Sequence, residues 1–198
     1  MYPLSVYDEK FYEMNQREGL AMAEWLCPAV IEIFNLKEKT GSIVDVGAGT
    51  GHLVKQFRNM DFICNGLEGS EYAVCHSLTD IYLVDLRTAL AVSLKYDLAI
   101  SLEVAEHIDP EFVDVYVDNL CALSDTILIS AAVPNQGGEH HVNEQPFWYW
   151  LEKFEKRGYK LDEEAVAKFR MSMRIAKANN YFVPGYMHVT NYFVFRKA

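Results

Sequence analysis

The chain has 198 residues, 51% of them apolar or aromatic, which is enough for one α/β domain with its own core and too few for two large ones. Acids outnumber bases 28 to 18, and the net charge of −10 argues against nucleic acid held through its phosphates. The cysteines Cys27, Cys64, Cys75 and Cys121 form no C-x-x-C pair, and neither a signal peptide nor a membrane-length apolar run is evident, so a reduced, cytoplasmic protein is expected.

Residues from Asp8 to Phe34 read as helix interrupted at Pro28, with Phe11, Met14, Leu20, Ala23, Trp25 and Leu26 as apolar positions. Tyr12, Gln16 and Arg17 are candidates for a lid. After Gly41, SIVDV is a first strand, ending in Asp45 and the glycine loop Gly47, Ala48, Gly49, Thr50, Gly51. HLVKQFRNM then has helical spacing, with Leu53, Val54 and Phe57 on one face. Strand, glycine loop and helix form a nucleotide cradle, whose amides and helix N-terminus are expected to face the ligand. The spacing is G-x-G-x-G, not the G-x-G-x-x-G of dinucleotide folds.

FICNGL is a second strand, closed by Glu68, whose carboxylate can accept both hydroxyls of a ribose. A short helix over Glu71–Ser77 leads to a third strand, IYLV, closed by Asp85 and Leu86. YDLAIS is the fourth strand, running on into SLEVAEHID. Asp109 and Pro110 open a helix with Phe112, Val113, Tyr116, Val117 and Leu120 as its buried face. TILISAAV is the fifth strand. The loop NQGGEHHVNEQ precedes a helix carrying Phe147, Trp150, Leu151 and Phe154 at helical spacing, with Lys153, Lys156 and Arg157 as its solvated end. GYKL, a helix over Glu163–Ala176 and a final strand in HVTNYFVFR complete the chain. The alternation predicts a doubly wound, mostly parallel seven-stranded sheet with helices on both faces and an antiparallel last strand. Ligands on such sheets bind beyond the carboxyl ends of the strands.

The D-x-G-x-G-x-G pattern of Asp45–Gly51 resembles the first motif of the class I S-adenosylmethionine (SAM) methyltransferases, and YDLAISLEVAEHI resembles their fourth-strand motif. Together with GG-x-x-HVNEQ-x-x-x-YW, the chain resembles the small glycan and sugar O-methyltransferases of bacterial polysaccharide loci and large DNA viruses. The likeness runs from about Asp8 to Tyr159 and is loose beyond. It implies a single Rossmann-like domain: residues 1–40 a helical cap, 41–133 the SAM-binding core, and 134–198 the acceptor side. It implies SAM as donor and S-adenosylhomocysteine as product. Asp45, Gly47, Ala48, Gly49, Gly51, Glu68, Asp85, Leu86, Ser101, Leu102 and Glu103 would hold SAM. Asp45 suits the cationic end of SAM, and Asp85 with Leu86 would meet adenine, while Ser101, Leu102 and Glu103 would flank the sulfonium.

The acceptor implied by the resemblance is a sugar hydroxyl in a glycan or nucleotide sugar. A hydroxyl is too weak an acid to ionise unaided, and histidine as a residue type suits the task of base. His141 is the first choice, His107 the second, and Glu144 stands beside them. The chain lacks the [DN]-P-P-[YF] motif of amino-methylating enzymes after strand four. Glu103, Glu106, His107, His141 and Glu144 could ligate a divalent ion, but their spacing along the chain is not compact, so no metal is expected. Carboxylate, phenol or amine acceptors are the alternative within enzymes, and a non-catalytic SAM-binding module the alternative outside them.

Overall fold

The computed structural model describes residues 7–179 and 189–198. Seven strands form one sheet in the order β3-β2-β1-β4-β5-β7-β6. They are β1 (Ser42–Val46), β2 (Ile63–Glu68), β3 (Tyr82–Leu83), β4 (Leu98–Ser101), β5 (Thr126–Ser130), β6 (Tyr159–Leu161) and β7 (Tyr192–Lys197). β1 to β5 pair in parallel, while β7 runs antiparallel to both β5 and β6. The doubly wound arrangement expected from the alternation is therefore present, with its antiparallel last strand inserted between β5 and β6.

Strand alternation distributes the core over two layers. On one face Ile43, Cys64, Leu98, Ile100 and Val194 pack against Leu26, Val30, Phe57, Phe169 and Met173. Those partners come from α1 (Glu9–Phe34), α2 (His52–Asn59) and α6 (Glu163–Ala178). On the other face Val44, Val46, Ala99, Ile127, Ile129 and Phe195 meet Tyr116, Val117, Leu120, Trp150 and Phe154. These belong to α4 (Val113–Leu123) and α5 (Phe147–Glu155), and a one-turn α3 (Glu71–Cys75) follows β2.

Pro28 does not interrupt α1, which is continuous through it. Pro28 and Glu24, whose carbonyl the proline cannot bond, both lie on the exposed side, so water can take the place of the missing donor. Trp25, Leu26, Cys27, Ala29 and Val30 are buried around the proline and hold the helix to the sheet. β1 matches its sequence segment and β2 is shifted by one residue, whereas the later strands are shorter than theirs. β5 stops at Ser130 and β3 keeps two residues, because beyond them the chain turns off the sheet to build loops. Asp109 makes no side-chain cap, and a 3-10 turn over Pro110–Phe112 precedes α4. All four cysteines are free. Among the described residues no helix is long and apolar enough to cross a membrane.

The strand order reverses between β1 and β4, because the chain winds outward through β2 and β3 and then returns to the centre. The loops after these two strands consequently part on opposite sides and leave a crevice at their carboxyl ends.

Candidate functional site

A cleft opens at that crevice in two adjoining lobes. Phe11, Tyr12, Gly47, Gly49, Glu103 and His107 line both. One lobe continues to Glu68, Asp85 and Leu86, and the other to Asp45, Ala48, Leu102 and His141. Gly47 sits at φ +82°, and a Cβ there would lie 2.3 Å from Val104 in the β4 loop, so only glycine lets the two loops meet.

Four of the loop's amides, those of Gly47, Ala48, Gly49 and Gly51, are taken up within the protein and not presented to the cleft. Gly47 and Ala48 donate to the Leu67 carbonyl at 2.8 and 3.0 Å, and Gly51 donates to the Ala48 carbonyl at 2.9 Å. Gly49 donates to Glu68 Oε2 at 2.7 Å. The loop therefore supplies room and shape, while the polar groups facing the ligand come from carboxylates. Gly51 caps α2 in the left-handed region, and its α-carbon faces Thr79 and Ile81 instead of the cleft.

Asp45 ends β1 with 3% of its surface exposed. Burial, and then the charge of Glu68, push its carboxyl up to about 7. Glu68 is held from three sides: Gly49 N on Oε2, and Ser70 N at 2.8 Å with the Tyr12 hydroxyl at 3.5 Å on Oε1. Burial raises its pKa and the backbone donors oppose that rise. Asp85 is gripped by Arg87, which donates through Nε and Nη2 at 2.8 Å each. The Arg87 side chain holds Asp85 below the usual carboxylate range. Leu86 is buried, and its carbonyl accepts from Asn119 Nδ2 at 3.1 Å.

Ser101 was expected beside the donor's sulfur, but its hydroxyl points the other way. It is fully buried, donates to the Val46 carbonyl at 2.7 Å and pairs with Tyr116 Oη at 2.7 Å. Glu103 adopts φ +54°, an unusual conformation for a residue with a side chain. A reciprocal pair with Ser130 holds it there: Glu103 N donates to Ser130 Oγ at 2.9 Å, and Ser130 Oγ donates to Glu103 Oε1 at 2.6 Å.

The loop before α5 folds back onto the β4 loop. Val142 N and Asn143 N both donate to the Glu106 carbonyl, at 2.9 and 3.0 Å. This docking brings the His107 and His141 rings to 5.0 Å, edge to face. His107 Nδ1 contacts the His140 carbonyl at 3.2 Å, and burial first, then His141, lower its pKa to about 4. His107 is thus neutral at ordinary pH and a weak base. His141 Nδ1 pairs with Glu144 Oε1 at 2.9 Å, and Glu144 also accepts from Gly137 N at 2.7 Å. A Cβ on Gly138 would lie 2.3 Å from the His141 ring, so glycine there makes room for the imidazole.

Of the five residues considered as metal ligands, the fold brings three together. Glu106, His107 and His141 each place a ligand atom within 4.8 Å of the other two. Spacing along the chain gave no such cluster, because it depends on the fold-back of the 134–146 loop. The sequence also gave no signal for Ser130, Arg87 or Val104, which act through neighbours. Tyr12 does cover the cleft, whereas the side chains of Gln16 and Arg17 lie outside the described residues. Trp148 is 64% exposed, Phe147 packs on Phe193 and Tyr149 lies edge-on to Trp150.

The chain matches no family profile and no curated protein. Many solved structures share its fold. A TehB-like SAM-dependent methyltransferase from Corynebacterium glutamicum superposes with a TM-score of 0.66 at 15% identity, over 96% of this chain and 97% of that one. Streptomyces venezuelae DesVI gives 0.66 at 13% identity, with each chain covered in full. Magnesium protoporphyrin IX methyltransferase from Synechocystis, with SAM bound, gives 0.63 at 15% identity over 95% of this chain and 84% of that one. A [4+2]-cyclase, SpnF, also matches, with a TM-score of 0.60. At these identities the likeness is one of fold, and activity has to be argued from the site.

Proposed function

We propose that the chain is a SAM-dependent methyltransferase that methylates a hydroxyl, with a sugar of a glycan or nucleotide sugar as acceptor. The observation that carries the reading is the meeting of two buried acids, Asp45 and Glu68, over a glycine loop at the point where the strand order reverses. A ligand there must bring hydroxyl donors and positive charge, and SAM has both: ribose hydroxyls, an ammonium and a sulfonium. The structure of similar fold that holds SAM supports the same choice.

In this reading Glu68 accepts the ribose hydroxyls on the lone pairs left by Gly49 and Ser70. Asp45, across the loop, receives the ammonium. Asp85, with Leu86 behind it, meets the adenine. Gly47, Ala48, Gly49 and Gly51 shape the loop, and Leu102 and Glu103 approach the sulfonium through the strained turn that Ser130 holds. S-Adenosylhomocysteine is the product.

The acceptor enters beside His141. Its oxygen attacks the methyl carbon, the carbon–sulfur bond breaks, the electron pair returns to sulfur, and the acceptor's proton passes to His141 Nε2. Glu144 on Nδ1 fixes the tautomer that leaves Nε2 as acceptor, and it stabilises the imidazolium that forms. His107 is the poorer base because its burial disfavours the charged form. Positioning and exclusion of water supply most of the rate in such a displacement.

The test is release of S-adenosylhomocysteine from SAM across a panel of sugars, nucleotide sugars, phenols, carboxylates and amines. The expected result is turnover with a sugar hydroxyl and a loss of about two to four decades in His141→Ala, with SAM affinity unchanged. Turnover confined to carboxylates or amines, or an unaffected His141→Ala rate, would contradict the reading.

A further inference from the structure

The geometry points to a divalent transition-metal site formed by Glu106, His107 and His141. Their ligand atoms lie within 4.8 Å of one another, close enough for one ion to reach all three. Two separate loops contribute them, and the paired amides of Val142 and Asn143 on the Glu106 carbonyl fix the spacing. The arrangement is therefore built into the backbone and does not depend on flexible side chains reaching across solvent.

Glu106 provides the second and independent observation. Its side chain is fully buried, Oε2 meets no hydrogen-bond donor, Oε1 accepts a long bond, 3.3 Å, from Ala132 N, and the carboxyl of Glu103 is its neighbour. Buried polar atoms are almost always satisfied, so a buried carboxylate that faces a second acid and two imidazoles, with one oxygen lacking a donor, asks for a cation. The histidines are prepared in the same sense. His107 Nδ1 faces the His140 carbonyl and His141 Nδ1 faces Glu144, which leaves Nε2 of each ring as the lone pair. A carbonyl or carboxylate on the far nitrogen is the usual support of a metal-bound histidine.

One carboxylate oxygen and two imidazole nitrogens suit manganese, iron, cobalt or zinc, whereas magnesium and calcium prefer oxygen alone. Three protein ligands leave coordination positions open towards the cleft, which His107 and His141 both line. A bound ion uses the His141 lone pair. Such an ion would make an acceptor hydroxyl in an open position a stronger acid, with its proton released to solvent water, and in the loaded protein His141 would serve as ligand in place of the role as base that it has in the metal-free reading.

The test needs neither SAM nor acceptor, so its failure is separate from failure of the methyl-transfer reading. The full chain, stripped with a chelator, is titrated with Co²⁺ and followed by visible absorption, with Zn²⁺ as competitor. The expected result is one equivalent of Co²⁺ with ligand-field bands that Zn²⁺ abolishes, and a rise in melting temperature. His141→Ala, whose ring lies at the cleft wall, should weaken binding at least about tenfold and keep the parent's circular dichroism, and Glu106→Gln should weaken it similarly. Absence of saturable Co²⁺ binding, or equal affinity in His141→Ala, would overturn the proposal.

Discussion

Asp45→Asn is the substitution with the sharpest consequence, because it separates the cost of the empty site from its use. The carboxyl of Asp45 moves from 3.8 in the open chain to about 7 in the fold, through burial and the nearby charge of Glu68. A shift of that size is worth about 4 kcal/mol at about 1.4 kcal/mol per unit. The folded state holds this proton more tightly than the unfolded chain. Stability therefore falls as pH rises through the interval from about 4 to about 7, and the full cost is present above it. Asparagine never ionises and never incurs that cost. At about pH 8 the ligand-free variant should melt about 8–16 °C above the parent, since 1 kcal/mol shifts a chain of this size by about 2–4 °C. At about pH 4 the two should nearly coincide. The variant should also lose SAM affinity by about two to three decades, the worth of one charge pair in a partly screened site. Thermal melts across pH and calorimetry with SAM read both effects. Equal melting temperatures above neutrality, or undiminished SAM affinity, would refute the reasoning.

Glu68→Gln places an NH₂ against one of two backbone donors, Gly49 N or Ser70 N, and should cost about 1–3 kcal/mol in urea unfolding as well as SAM affinity. Ser101→Ala should cost about 1–2 kcal/mol of stability, because the Val46 carbonyl and Tyr116 hydroxyl lose their partner, yet leave the SAM dissociation constant unchanged. A large affinity loss there would mean that the hydroxyl reaches the ligand. Gly47→Ala should abolish SAM binding, because the new Cβ lies 2.3 Å from Val104 and the backbone is at φ +82°, and a structure of the variant would show the β4 loop displaced. Gly138→Ala should displace the His141 ring and lower turnover without altering SAM affinity.

Local pattern carried most of the architecture. Ile43, Val44 and Val46 between Gly41 and the glycine loop announced a central strand, and the apolar runs at Leu98–Ile100 and Ile127–Ile129 announced the next two strands on one side of it. The positions of Asp45, Glu68 and Asp85 followed from the ends of those strands. Pro28 misled because the sequence does not show that it lies on the wet side of α1. Ser101 could have been assigned correctly from parity alone, since it shares a face with Ala99, which packs towards α4. The glycine amides were expected to face the ligand, but the β1 loop turns those of Gly47, Gly49 and Gly51 onto Leu67, Glu68 and Ala48. The Glu106, His107 and His141 cluster was illegible for a different reason. It exists only because two amides far along the chain find the Glu106 carbonyl, a tertiary event with no local signature.

The central claim is that the cleft between β1 and β4 takes SAM. Calorimetric titration of the chain with SAM, S-adenosylhomocysteine and NAD tests it most directly. The account predicts one saturable site for SAM and for S-adenosylhomocysteine, weakened in Asp45→Asn, with no heat from NAD. Binding of NAD in place of SAM, or no binding of either adenosyl compound, would contradict it.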